Sequence, residues 1–97
     1  MSLIIEKKNP ETLKIIGRLD TVTTPKLEME ICNILPNVES IVLDMEKLEY
    51  ISSAGLRVIL KTHKALAQKS GLILKNVSTD VMEIFDITGF SDILTIE

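Results

Sequence analysis

Short apolar runs alternate with amphipathic stretches along the chain, and this alternation constrains the fold more than any other feature. Leu3–Lys8 and Thr12–Arg18 read as strands joined at the Asn9-Pro10 turn and are expected to pair as a hairpin. Ile41-Val42-Leu43 and Leu72-Ile73-Leu74 are continuous apolar runs, the pattern of strands covered on both faces. Ile93–Ile96 reads as a short final strand. Three helical patterns lie between these runs. The first opens at Thr24-Pro25, a capping hydroxyl followed by proline at the first helical position. It carries Leu27, Ile31, Ile34 and Leu35 on one face and stops at Pro36. The second opens at Ser53 and runs to about Lys69, with Leu56, Ile59, Leu60, His63, Leu66 and Ala67 as its inward stripe and Gly71 as its end. The third starts at Thr79, turns Val81, Ile84, Phe85 and Thr88 inward, and ends at Gly89, the favoured glycine position. Strands and helices in alternation imply parallel pairing through crossovers. The expected fold is therefore α/β: a mixed β-sheet of about five strands with three main helices.

Composition narrows the function. A chain of 97 residues suits one core, so residues 1–97 are expected to form one domain. Aromatic residues make up only 3%, so that core must be built from Ile, Leu, Val and Met. The single cysteine, Cys32, excludes an internal disulfide and a multi-cysteine metal site, and it is consistent with a reducing compartment. The net charge of −3 and the lack of a basic stripe argue against a nucleic-acid partner and against a membrane surface. No apolar run is long enough to span a bilayer, and no basic segment followed by an apolar run opens the sequence. The expectation is a cytoplasmic protein.

Sites in open α/β sheets form where loops leave the carboxyl ends of the strands. Here those loops are Asp20–Thr24, Asp44–Ser53 and Asn76–Thr79, and they hold a concentration of Asp and Ser. Ser52 or Ser53 can cap the second helix by accepting a backbone N–H, and a serine at such a place is most often only a cap. Two details point further. Ala54 and Gly55 sit in the first turn, where glycine costs about 1 kcal/mol relative to alanine. Two small residues would leave the helix start open to an approaching molecule; the plainer alternative is that Gly55 packs against a neighbouring strand. Arg57 lies four residues after Ser53 on the same helical face, and helical side chains lean toward the N-terminus. A solvated arginine is the commoner case. A phosphate on Ser53 would suit the helix start, whose free N–H groups and dipole favour an anion by roughly 0.3–1 kcal/mol.

Other chemistry finds little support. His63 lies ten residues beyond Ser53, about 15 Å along a helix axis, too far for a nucleophile–base pair. Zinc lacks ligands, and no phosphate-binding or dinucleotide-binding glycine motif is present, so no cofactor is expected. Asp20, Asp44 and Glu46 could in principle hold Mg²⁺ but more often serve as caps and turn residues. Met29 and Met82 are candidates for adaptable partner contacts.

Four motifs in order resemble STAS domains of bacterial anti-sigma factor antagonists. Gly17-Arg18-Leu19-Asp20 is similar to the family's Gly-x-Leu-Asp, and Ile41-Val42-Leu43-Asp44 to its central strand. Ser52-Ser53-Ala54-Gly55-Leu56 is similar to its Asp-Ser-Ser-Gly-Leu signature, with Ser53 at the phosphoacceptor position. Phe85-Asp86-Ile87-Thr88-Gly89 is similar to the end of its third helix. The resemblance implies a switch rather than an enzyme. The unphosphorylated domain would bind an anti-sigma factor serine kinase and free a sigma factor; phosphorylation would break the complex and a serine phosphatase would reset it. Asp20, Thr24, Ser52, Ala54, Gly55 and Arg57 would form the partner-binding edge. One departure stands out: Ser52 occupies the family's aspartate position, which removes a charge and leaves Ser52 as a rival acceptor. The alternative within the family is a non-phosphorylated scaffold or an anion- or nucleotide-sensing module.

Overall fold

The computed structural model describes residues 3–97; Met1 and Ser2 lie outside the described residues. The elements are β1 (Leu3–Asn9), β2 (Thr12–Leu19), α1 (Thr24–Ile34), β3 (Ser40–Asp44), β4 (Leu48–Ile51), α2 (Ser53–Leu66), β5 (Gly71–Lys75), α3 (Thr79–Thr88) and β6 (Thr95–Ile96). They form the expected α/β architecture, a mixed six-stranded sheet with three helices. Its order is β1-β2-β3-β5-β6, with β4 paired to β2. The β1–β2 hairpin is antiparallel, as expected, and every other pairing is parallel.

One strand was hidden in the expected Asp44–Ser53 loop. β3 pairs with the first part of β2, through Thr12 to Lys14, and β4 pairs with the last part, through Gly17 to Leu19. The two lie end to end along one side of β2, separated by a kink at Met45–Lys47. The kink is closed by the Leu48 N–H donating to Met45 O at 3.1 Å and the Gly17 N–H donating to Lys47 O at 3.0 Å. Gly17 has φ +111°, a conformation that side-chain-bearing residues rarely adopt, and the register shifts there. β4 alternates poorly, since Glu49 and Tyr50 both face outward, and so carries no clean strand signal.

All three helices bury their stripes in one core. Leu27, Ile31, Leu56, Ile59, Val81 and Phe85 join Leu13, Ile15, Ile41, Leu43, Leu72 and Leu74 of the sheet. The strand residues that alternate with these, Lys14, Val42, Asp44 and Ile73, point to the opposite face and are only half-buried. The central strands are therefore covered on one face, contrary to the expectation from their continuous apolar runs. The open-face residues of the runs shield one another: Thr12, Val42, Ile73 and Thr95 stand side by side in one cross-strand row.

The helix boundaries and stripes also shift. Thr23, not Thr24, occupies the cap position of α1, and Pro36 stops the helix from within a 3₁₀ turn over Leu35–Asn37. In α2 the buried stripe includes Val58 and Thr62, while Leu60 and His63 are half-buried and Ala67, beyond the helix, is exposed. Thr62 satisfies its hydroxyl by donating to Val58 O at 2.8 Å. In α3 only Val81 and Phe85 are buried; Ile84 is intermediate and Thr88 exposed. Gly89 ends α3 in the left-handed conformation at φ +81°, as its position predicted. The last strand is only Thr95–Ile96, because Phe90–Asp92 form a 3₁₀ turn and Ile93 is half exposed.

Phe85 is fully buried at the centre of this packing, while Ile87 two residues on is 85% exposed. Phe85→Ala is expected to cost about 3–5 kcal/mol and Ile87→Ala less than about 0.5 kcal/mol, read as urea midpoints of the two variants.

Candidate functional site

The end of β2 and the end of β4 are neighbours, with Leu19 opposite Ile51, so the loops that follow them emerge together. The Ser52 N–H donates to Leu19 O at 2.8 Å and ties the start of α2 to the end of β2. Ser52 is the helix cap: its backbone is extended and its hydroxyl accepts from the Gly55 N–H at 3.4 Å. Ser53 is the first helical residue, and it is exposed. The two serines, either of which the sequence allowed as the cap, thus hold different posts.

Gly55 does not leave the helix start open, which corrects the functional reading of its size. It is buried, and a Cβ there would stand 2.8 Å from Ile51 Cγ1 and 2.9 Å from Leu19 Cδ2. The plainer alternative holds: glycine is required because helix and strands come too close for a side chain. Ala54 stays half-buried at the surface, and Arg57 is exposed. Thr24 is also buried, and its hydroxyl donates to Asp20 O.

The Asp20 loop is held by a closed set of hydrogen bonds. One Asp20 carboxylate oxygen accepts from the Val22 N–H at 3.0 Å and the Thr23 N–H at 2.9 Å. The Thr23 hydroxyl donates to Arg18 O at 2.7 Å and accepts from the Asp20 N–H at 2.9 Å. These contacts, the Thr23 N–H first among them, hold the Asp20 carboxyl below its ordinary value, against the opposing effect of burial. Val22 stands at the loop tip, 84% exposed. Sequence reasoning missed it, although an apolar residue inside a Thr-rich loop is a visible signal. It also missed the pairing of Arg18 with Tyr50, whose ring lies 4.4 Å from the guanidinium carbon on adjacent strands.

Asp44 and Asn76, which open the other two predicted loops, do not join this edge. Asp44 is opposite Lys14, which stands five positions before Leu19 on β2, roughly 16 Å at about 3.3 Å per residue. Asp44 accepts from Asn76 Nδ2 at 3.1 Å and from the Glu46 N–H at 3.1 Å. Burial raises its pKa, but Asn76, the Glu46 N–H, Lys14 and Lys8 outweigh this and leave it lowered. Asp20, Asp44 and Glu46 do not converge: among the described residues no group of three or more His, Cys, Asp or Glu side chains could hold a metal ion. No described helix is long and apolar enough to cross a membrane.

Beside Ser53 a groove of about 270 Å³ runs between the start of α1 and the first turns of α2. Of the predicted edge residues Thr24, Ala54 and Arg57 line it, together with Pro25, Val58 and Lys61 among others, and Ser53 does not. Lys61 is paired with Glu28 Oε2 at 2.8 Å, which raises its pKa. A smaller apolar cleft of about 70 Å³ continues between the helices past Ile31, exposed Cys32 and Ala65. Met29 is exposed on α1, while Met82 packs partly against the core.

The family model described as the STAS domain matches residues 4–97. An anti-sigma-B factor antagonist of Listeria monocytogenes is 35% identical, covering 100% of this chain and 90% of its own. Two solved structures share the fold. The anti-sigma factor antagonist SpoIIAA in its unphosphorylated form superposes with TM-score 0.77, at 24% identity over 99% of this chain and 88% of that one. The Bacillus cell fate determinant SpoIIAA in its phosphorylated form does so with TM-score 0.70, at 23% identity over 99% and 91%.

Two outcomes are expected from this geometry. Gly55→Ala overpacks Leu19 and Ile51 at a cost of about 1–3 kcal/mol, against about 1 kcal/mol gained in helix propensity, so denaturant unfolding should show a net loss of up to about 2 kcal/mol; a stabilised variant would contradict the close approach. Acid titration should also separate the loop carboxylates. In the unfolded chain Asp20 and Asp44 return toward 3.8. Their lowered native values stabilise the fold above that pH, and the stabilisation is lost as pH falls through them. Thermal melts should hold steady down to about pH 4 and decline below it, less steeply in Asp20→Asn and Asp44→Asn than in the parent.

Proposed function

The chain belongs to the STAS domain family, among its anti-sigma factor antagonists, and from that premise we propose that Ser53 is the phosphoacceptor of a protein-interaction switch. The family is regulatory and protein-binding, not enzymatic. Anti-sigma factor antagonists act on anti-sigma factors. In this reading the partner is an anti-sigma factor serine kinase in the cytoplasm, and a serine phosphatase restores the free hydroxyl.

The observation that carries the reading is the division of labour between Ser52 and Ser53. Ser52 Oγ is engaged as the cap of α2 by the Gly55 N–H, whereas Ser53 is exposed at the first helical position. Modifying Ser52 would remove a cap contribution of about 1 kcal/mol; modifying Ser53 disturbs no hydrogen bond among the described residues. The phosphorylated form solved for SpoIIAA supports the same chemistry on this fold. Ser53 Oγ attacks the γ-phosphorus of ATP, its proton passes to a base of the kinase, and ADP leaves. The product carries about two negative charges at the first turn of α2, where the helix dipole tolerates them. The fold is retained while the edge presented to the partner becomes strongly negative. Asp20, Thr23 and Thr24 serve this edge by holding the β2–α1 loop, with Val22 at its tip, alongside Ser53.

Incubation with the anti-sigma factor kinase of its own cell and ATP should place one phosphate on the protein, absent in Ser53→Ala and present in Ser52→Ala. Phosphate retained in Ser53→Ala would transfer the role to Ser52; binding of phosphate-bearing ligands without any transfer would favour a sensor. Ser53→Asp should keep the melting temperature within a few degrees, since a charge at the helix start contributes about 0.3–1 kcal/mol, yet lose most of its affinity for the kinase.

A further inference from the structure

The groove beside Ser53 holds one cation without a partner. Lys61 is neutralised by Glu28, whereas Arg57 makes no ion pair or hydrogen bond among the described residues. Arg57, Lys61 and Glu28 together leave the groove with one net positive charge, in a chain whose net charge is −3. Pro25, Ala54 and Val58 supply apolar walls around it. A guanidinium in such a setting suits a carboxylate, which it can grip with two parallel hydrogen bonds.

Arg57 is also the residue four positions after Ser53 on α2. Residues at that spacing lie about 5–6 Å apart at Cβ, and an arginine side chain leans back toward the helix N-terminus. Ser53 itself does not line the groove. A phosphate on it would therefore leave the groove unfilled, but it would offer Arg57 an intramolecular anion stronger than any carboxylate brought by a partner.

Resting on the phosphoacceptor reading above, we propose that Arg57 is a two-position contact. In the unmodified protein it stands in the α1–α2 groove and receives an acidic side chain of the kinase. In the phosphorylated protein it turns to the Ser53 phosphate and withdraws the groove's unpaired charge. Phosphorylation then weakens the complex through the loss of this contact in addition to direct repulsion.

The test is a four-species comparison of kinase affinity: parent and Arg57→Gln, each with free Ser53 and with phosphoserine installed at position 53 during synthesis. Arg57→Gln should weaken binding of the unmodified protein by about tenfold, the lower end for a charge-assisted contact. Phosphorylation should weaken the parent about tenfold more than it weakens Arg57→Gln, and Arg57→Lys should fall between the two. Equal weakening in both backgrounds overturns the two-position contact while the Ser53 switch stands. No weakening in either overturns the switch and the contact together. A partner-free measurement reads the same contact: the phosphate's second ionisation, near pH 6 in ordinary phosphoserine, followed by phosphorus NMR. It should titrate lower in the parent than in Arg57→Gln; coincident midpoints overturn the proposal.

Discussion

Helix α2 meets the sheet at a point where no side chain fits. Gly55 lies against Leu19 and Ile51, the terminal residues of the two strands that run out beneath it, and the Ser52 N–H is bonded to Leu19 O. This contact sets the position and tilt of the helix start. It brings the Asp20 loop alongside Ser53, opens the groove between α1 and α2, and leaves the first turn facing outward. A larger residue at position 55 would lift the helix from the sheet and move each of these features at once.

The sheet prepares that contact through an irregularity. β2 is too long to be matched by β3 alone, so β3 and β4 share it end to end, with the chain kinked at Met45–Lys47 and Gly17 absorbing the register shift. The result is a stepped edge. Asp44 and Asn76 stop at the lower step, and Ser52 and Ser53 stand at the upper one. Because the two levels are separated along β2, the loop carboxylates cannot gather around one ion. They act instead as turn-makers, each accepting from nearby N–H groups.

Most polar groups at the upper step are already engaged. Asp20, Thr23 and Thr24 satisfy one another and the local backbone, Ser52 caps α2, and Lys61 is held by Glu28. Ser53 and Arg57, like the Thr21 hydroxyl, make no side-chain hydrogen bond or ion pair among the described residues; Ser53 is a neutral hydroxyl and Arg57 a fixed charge, four residues apart on one helix.

The amino-acid order alone determined the features that depend on neighbours in sequence. These were the helix at Ser53, the glycine stop at Gly89, the β1–β2 hairpin and the α/β alternation. All rest on contacts within a few residues, so spacing and residue type suffice to predict them. Tertiary structure decided what depends on distant partners. It revealed β4, whose outward Glu49 and Tyr50 conceal its pairing with β2, and it showed that one sheet face is open. It assigned Gly55 to close packing rather than access, turned Thr24 inward, and set Asp44 apart from Ser53. It also separated capping Ser52 from exposed Ser53. Each of these outcomes turns on which residues meet across the sheet, and local patterning carries no record of that.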